Sequence, residues 1–258
     1  MDSSTKNDAA ASFERSVEDR FGILPNFFRL TPEAPAITRN LWGFAEFAYL
    51  DNPLPSLFKE RLFVYLSQFC ESRYCISRHI GFLTGLGHPA GDRDVAPESV
   101  EQIVRLLQRS LPAGKALDAH VNFCRHRSAP LSAMPEPGTA AEESVFACAS
   151  HVFLQDADAP RSLQALKVAL DSADLQYLLA FLTFVRTAHF WSKVHPDLRL
   201  EEDVVELLGV HEALNSCVLK NPVLASSDAL QTLRNELDEL HREEADLRSR
   251  AGESRFLA

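Results

Sequence analysis

Glycine is scarce in this chain, ten in 258 residues, and runs that alternate apolar with polar residues are few. The lack of alternation weighs against strands, and the supply of Leu, Ala, Glu and Arg favours helix. No apolar run reaches the roughly 18–20 residues that a membrane-spanning helix needs. The first residues, Met1 to Ala11, are polar and lack the apolar stretch of a secretory signal. Basic residues are outnumbered by acidic ones, 26 to 36, for a formal charge of −10. That balance disfavours a nucleic-acid or anionic-membrane partner, since either calls for a basic face. The five cysteines are odd in number and sit mostly in apolar stretches, which fits a reduced, cytoplasmic setting.

What is present reads as all-α. Residues 1–12 are expected to be a disordered leader, followed by a helical domain over 13–222. A short helix is expected over Ser12–Arg20, then an aromatic turn, Phe21-Gly-Ile-Leu-Pro25-Asn-Phe-Phe28. The next helix, Pro35–Tyr49, carries Leu41, Trp42, Phe44 and Phe47 on its apolar side, and Asp51-Asn-Pro-Leu-Pro55 ends it. Ser56 is placed to cap a helix to Cys70, with Leu62, Phe63, Leu66 and Phe69 toward the core. Ser72 is placed to cap the next helix, which stops at Gly85-Leu-Gly87. Further helices are expected over Pro97–Gln108 and Lys115–His126. Others start at the capping box Thr139-Ala-Ala-Glu142, near Pro160, and at Ser172 as a cap for a helix through Trp191. A last one spans Val204–Leu219.

The candidate site lies between Glu60 and His79. Cys75 falls in the first turn of the helix capped by Ser72, among backbone N–H groups with no intrahelical partner, which favours a thiolate. His79 follows one turn later on the same face and can share a proton with Cys75 directly or through one water. Glu60, on the preceding helix, reaches His79 if the two helices pack antiparallel, giving a nucleophile–base–orienter set. Tyr74 offers a hydroxyl or ring surface. A Cys and a His at this spacing also occur by chance on many helices. As metal ligands the three are too few and scattered for a zinc site, and no cofactor or metal is expected.

These residues resemble the carboxymuconolactone decarboxylase and AhpD-like alkylhydroperoxidase superfamily, whose members carry Glu, then Cys-x-x-Cys-x-x-x-His. Glu60, Cys75 and His79 match at the family's spacing, and the similarity extends over about residues 15–215. The resemblance implies that Glu60 and His79 relay the proton of Cys75, which attacks a hydroperoxide. The family's first Cys, which resolves the sulfenic acid as a disulfide, corresponds to Ser72, and Ser72 cannot do this. Cys70 is the nearest other thiol; on a continuous helix it would point away from Cys75, and a break near Glu71 would change that. Arg73 and Arg78 read as solvated helix charges. His189 either lines the pocket or is a satisfied core histidine, and Arg186 can neutralise a buried carboxylate. His151 has no evident partner, His120 and His126 read as surface residues, and Cys124, Cys148 and Cys217 as small apolar fillers.

Beyond Asp228 the character changes. Leu230, Leu233, Leu237, Leu240 and Leu247 follow the 3, 4, 3 and 7 spacing of a coiled-coil seam within 225–252, with Glu244 at the skipped position. A two-stranded parallel homodimer is expected; the alternative is an amphipathic helix folded back on its own domain. The end, Leu247 to Ala258, resembles the leader of a PAS domain in bacterial sensor proteins. The Phe21–Phe28 and Asn52–Glu60 stretches resemble the AhpD-like region found ahead of PAS and histidine-kinase domains. Three functional readings follow. One is a cytoplasmic sensory module, an AhpD-like domain coupled by a dimerising helix to a downstream PAS/histidine-kinase output. A second is a one-cysteine hydroperoxidase. The third is a remnant that binds a small apolar ligand or serves as a scaffold.

Overall fold

The helix Ser56–Gln68 is the axis on which the rest of the fold is assembled, because it is enclosed on every side from Phe58 onward. The structure, a computed structural model, describes residues 3–220. Regular structure among the described residues is helical throughout. The chain opens with α1 (Ser3–Phe21), a 3₁₀ turn (Asn26–Arg29) and α2 (Pro35–Ala45). α1 starts at Ser3, earlier than the expected Ser12, so most of the stretch expected to be a disordered leader is helical. The three alanines at positions 9–11 propagate helix readily.

α2 widens into a π turn, Glu46–Leu50, closed by the Asp51 N–H donating to the Glu46 carbonyl at 2.7 Å. The wider turn changes which side chains face inward. Ala48, Tyr49 and Leu50 are buried, and Phe47, expected on the apolar side, is 70% exposed.

The enclosed helix, α3 (Ser56–Gln68), buries even Lys59, Glu60 and Arg61. Ser56 is its first helical residue rather than the cap, and Pro55 precedes it with no side-chain bond at the end. After Phe69 and Cys70 the chain turns at Glu71, whose φ of +52° lies in the left-handed region. α4 (Arg73–Leu83) then runs back along α3. It ends in a Schellman turn. The Leu86 N–H donates to the Gly81 carbonyl at 2.8 Å and the Gly85 N–H to Phe82 at 3.1 Å, with Gly85 at φ +93°.

α5 (Val100–Leu107) has the reciprocal Ser99/Gln102 capping box. α6 (Lys115–Arg125), α7 (Ala140–Leu154) and α8 (Ala159–Ala169) pack on one another. Thr139 caps α7, accepting from the Glu142 N–H, but the Glu142 carboxylate does not complete the box. It accepts instead from Arg61, Arg109 and the Gly138 N–H. Arg61 also holds Glu98 through Nη1 at 2.6 and 2.8 Å, so one buried guanidinium ties α3 to α7 and to the approach to α5.

α9 (Ser172–Lys193) lies against α3, α4, α7 and α8. Asp171, not Ser172, caps it, accepting from the Asp174 N–H at 2.8 Å. The helix expected over Val204–Leu219 is two, α10 (Glu202–Val210) and α11 (Glu212–Lys220), broken at His211. Gly209 and the β-branched Val210 weaken helix just before the break. The leucine seam from Leu230 to Leu247 lies outside the described residues. No helix among the described residues is long and apolar enough to cross a membrane.

Candidate functional site: a buried thiol beside a Glu–His pair

The antiparallel return of α4 along α3 brings Glu60 to His79. His79 Nδ1 lies 2.8 Å from Glu60 Oε1, and Glu60 is fully buried. A carboxylate only accepts, so Nδ1–H donates and Nε2 is left for the cavity. The Phe63 ring stacks on the imidazole, centroids 3.5 Å apart, and Tyr49 and Phe82 meet it edge-on. The ring is thereby fixed in orientation as well as in tautomer.

The other carboxylate oxygen, Oε2, accepts from the Tyr49 hydroxyl. Burial, and then the charge of Glu60, hold the Tyr49 hydroxyl well above the ordinary tyrosine range. Tyr49 is a site residue that sequence reasoning missed. It sits in the π turn, which periodicity at 3.6 residues does not register. Lys59 secures that turn. Its ammonium is buried and donates to the carbonyls of Tyr49 at 2.6 Å, Leu50 at 3.3 Å and Asn52 at 2.8 Å. Burial lowers its pKa to about 8.

Cys75 and His79 line the same cavity, of about 40 Å³, together with Tyr49, Phe63, Tyr74 and Arg78. The aromatic turn supplies another wall through Phe21, Pro25, Phe27 and Phe28. Three of the predicted groups are thus brought together: Glu60 bonded to His79, and Cys75 on the cavity that His79 lines. Cys75 and Cys70 are both free thiols. The break at Glu71 takes Cys70 off the helix that carries Cys75, and Cys70 is half-buried at the core's edge.

The thiolate expected at Cys75 is not what this environment favours. The residue is 2% exposed, and burial pushes its thiol up to about 11. Hydrogen bonds with Ser72 and Ser192 act in the opposite direction and are outweighed. Its sulfur lies 3.6 Å from Ser192 Oγ, and no hydrogen bond joins it to His79. Ser72 stands at the N-cap of α4 but does not cap; its hydroxyl pairs with Ser192 Oγ at 2.9 Å. Ser192 carried no signal in the sequence, because only the crossing of α9 over the end of α4 gives it a role.

Arg78 is not a solvated charge. It is buried over the Phe82 ring, bonds Asp203 at 3.0 and 3.1 Å, and donates to the Leu86 carbonyl at 2.5 Å. Tyr74 donates its hydroxyl to Glu201 at 2.6 Å and accepts from the Phe27 N–H, so it contributes ring surface to the cavity.

His189 is a core residue. Ser67 Oγ donates to the Phe63 carbonyl and so accepts from His189 Nε2 at 2.7 Å. His189 Nδ1 has no partner. Burial, then the neighbouring His79, lower the His189 pKa to about 3. Arg186 donates to the Phe153 carbonyl, not to a carboxylate. His151 does have partners: Asp156 at 2.6 Å and the Pro112 carbonyl at 2.9 Å. With Asp158 these two side chains place three ligand-type atoms within 4.8 Å. Asp158, however, is bound by Arg161, and both His151 nitrogens are engaged, so the group reads as an ion-pair cluster. His120 is half-buried and bonds Ser144 Oγ at 3.0 Å.

Compared with known protein families, curated proteins and solved structures, the chain matches none.

Proposed function

We propose that this chain is a cytoplasmic sensory module of the AhpD-like kind, in which Cys75 is a guarded thiol that small oxidants modify stoichiometrically. The observation that carries this reading is the shared cavity: Cys75 lines the same small space as His79, and His79 is oriented by Glu60. The match of Glu60, Cys75 and His79 to the family's spacing supports it as well. The cavity has room for only a few water-sized molecules, which suits hydrogen peroxide better than a bulky hydroperoxide.

The chemistry runs as a single oxidation. The Cys75 thiol gives its proton to His79 Nε2, directly or through one water, and Glu60 stabilises the resulting imidazolium. The sulfur attacks one peroxide oxygen; the S–O bond forms as the O–O bond breaks. The leaving hydroxide takes the proton back from His79 and departs as water, leaving sulfenic acid at Cys75. With serine at position 72, no disulfide forms there. A thiol near 11 keeps only about one sulfur in ten thousand ionised at pH 7, which favours a slow sensor over a rapid enzyme.

Output would pass through the homodimeric seam Leu230, Leu233, Leu237, Leu240 and Leu247 to a downstream PAS/histidine-kinase partner. The test is peroxide consumption with a sulfenic-acid trap. One equivalent consumed per chain, with the adduct at Cys75 and none in Cys75→Ala, is the expected result. Sustained turnover with a dithiol reductant would favour the second reading, a one-cysteine hydroperoxidase. An unmodified Cys75 would end both. A chain that is monomeric in solution would end the dimer coupling.

A further inference from the structure

A second cavity, of about 630 Å³, is lined in part by Ser72 and Ser192. Its walls are the amino end of α4, the carboxyl end of α9 and the connection into α10. Its volume falls in the range of small-molecule sites. Arg73, Lys193 and Arg199 line it, and none of the three has an ion-pair or hydrogen-bond partner for its cationic head among the described residues. Elsewhere in the chain Arg20, Arg61, Arg78, Arg109 and Arg161 each hold a carboxylate.

The acidic groups next to the cleft, Glu201 and Asp203, face the Arg78 guanidinium. Glu201 accepts from Tyr74 and from the Asn26 N–H, and Asp203 accepts from Arg78. Glu71 is the one acidic residue among the lining side chains. Leu198, Leu200 and Val205 add an apolar surface, and the Ser72 and Ser192 hydroxyls add polar groups at the wall shared with Cys75.

We propose that this cleft binds an amphipathic organic anion, a carboxylate carried on an apolar body. Three unpaired cations supply the recognition of the carboxylate, and the leucine and valine surface takes the body. A bare inorganic anion would leave that surface in water, and a neutral apolar molecule would leave the cations unused. The proposal does not depend on the chemistry of Cys75.

Titration of the full chain with decanoate, followed by calorimetry, tests it, with decanol and inorganic phosphate as the comparison arms. Saturable binding of one decanoate per chain is expected, weakening as salt is raised. Arg73→Ala with Arg199→Ala should weaken it about tenfold, the loss expected when two exposed charges are removed from one carboxylate, while Arg73→Lys with Arg199→Lys should keep most of it. Both arginines are exposed and without side-chain partners in the cleft, so the double variant keeps its fold, which circular dichroism checks. Decanol binding as tightly as decanoate, decanoate binding unchanged in the double alanine variant, or no saturable binding would each overturn the proposal; phosphate binding alone would do the same.

Discussion

Ser192 Oγ lies 3.6 Å from the sulfur of Cys75, whereas no hydrogen bond links that sulfur to the Glu60–His79 pair with which the sequence associates it. The consequence is a separation of roles. The acid–histidine pair is already assembled, and the thiol is held protonated by its burial while two serine hydroxyls moderate the effect.

The alkylation rate of Cys75 should therefore climb about tenfold per pH unit from neutrality with no plateau below about pH 10, because the thiol is pushed up to about 11. Ser192→Ala should slow alkylation further at about pH 8, since it removes a bond that favours the thiolate. Iodoacetamide labelling followed by mass spectrometry reads both. A plateau near about pH 8.5 would show an ordinary thiol.

Glu60→Gln should cost about 1–3 kcal/mol of stability. Glu60 accepts from both His79 and Tyr49, and glutamine can accept from only one while aiming an NH₂ group at the other donor. Urea unfolding measures the loss, and an unchanged midpoint would mean that the two donors have other acceptors.

Arg61→Met should be among the most damaging single changes, about 3–5 kcal/mol, because it strands the carboxylate of Glu98 in the interior and leaves that of Glu142 to Arg109 and the Gly138 N–H. Adding Glu98→Gln and Glu142→Gln should recover part of that loss. No recovery in the triple variant would place the cost in packing instead of charge.

His189 gives a pH signature. Its folded pKa, about 3, lies below the ordinary histidine value, so the folded chain keeps it neutral where the unfolded chain protonates it. Its contribution is fully present above about pH 6.5 and is lost as pH falls toward about 3, with a slope of about 1.4 kcal/mol per pH unit inside that window. The difference in stability between the native chain and His189→Gln, followed from about pH 7 to about pH 4, should shrink with that slope. A constant difference would contradict a buried neutral imidazole.

Gly87→Ala should destabilise the turn after α4. Gly87 sits at φ +110°, and a Cβ there would lie 2.6 Å from the Phe21 carbonyl oxygen and 2.9 Å from the Phe82 ring. Neither backbone nor packed ring can yield cheaply, so a fall in melting temperature is expected in thermal unfolding.

Much of the helical layout is legible in residue spacing. Leu62, Phe63 and Leu66 are buried as their periodicity requires, and Thr139 caps α7. The departures share a cause, which is competition from distant partners. Ser72 abandons its cap for Ser192, Glu142 leaves its box for Arg61, and Arg78 is drawn inward by Asp203. Local rules cannot register partners that lie 81 to 125 residues away. The π turn that aims Tyr49 at Glu60 escapes a reading built on a 3.6-residue period.

The order of residues alone determined the helical character of the described residues and the positions of Glu60, Cys75 and His79 on two successive helices, because side-chain periodicity and turn chemistry are local. Only the tertiary structure decided the protonation of the thiol and which hydroxyls touch it. Those depend on how much water is excluded and on which helix crosses the site, and α9 contributes to both from 117 residues further along the chain.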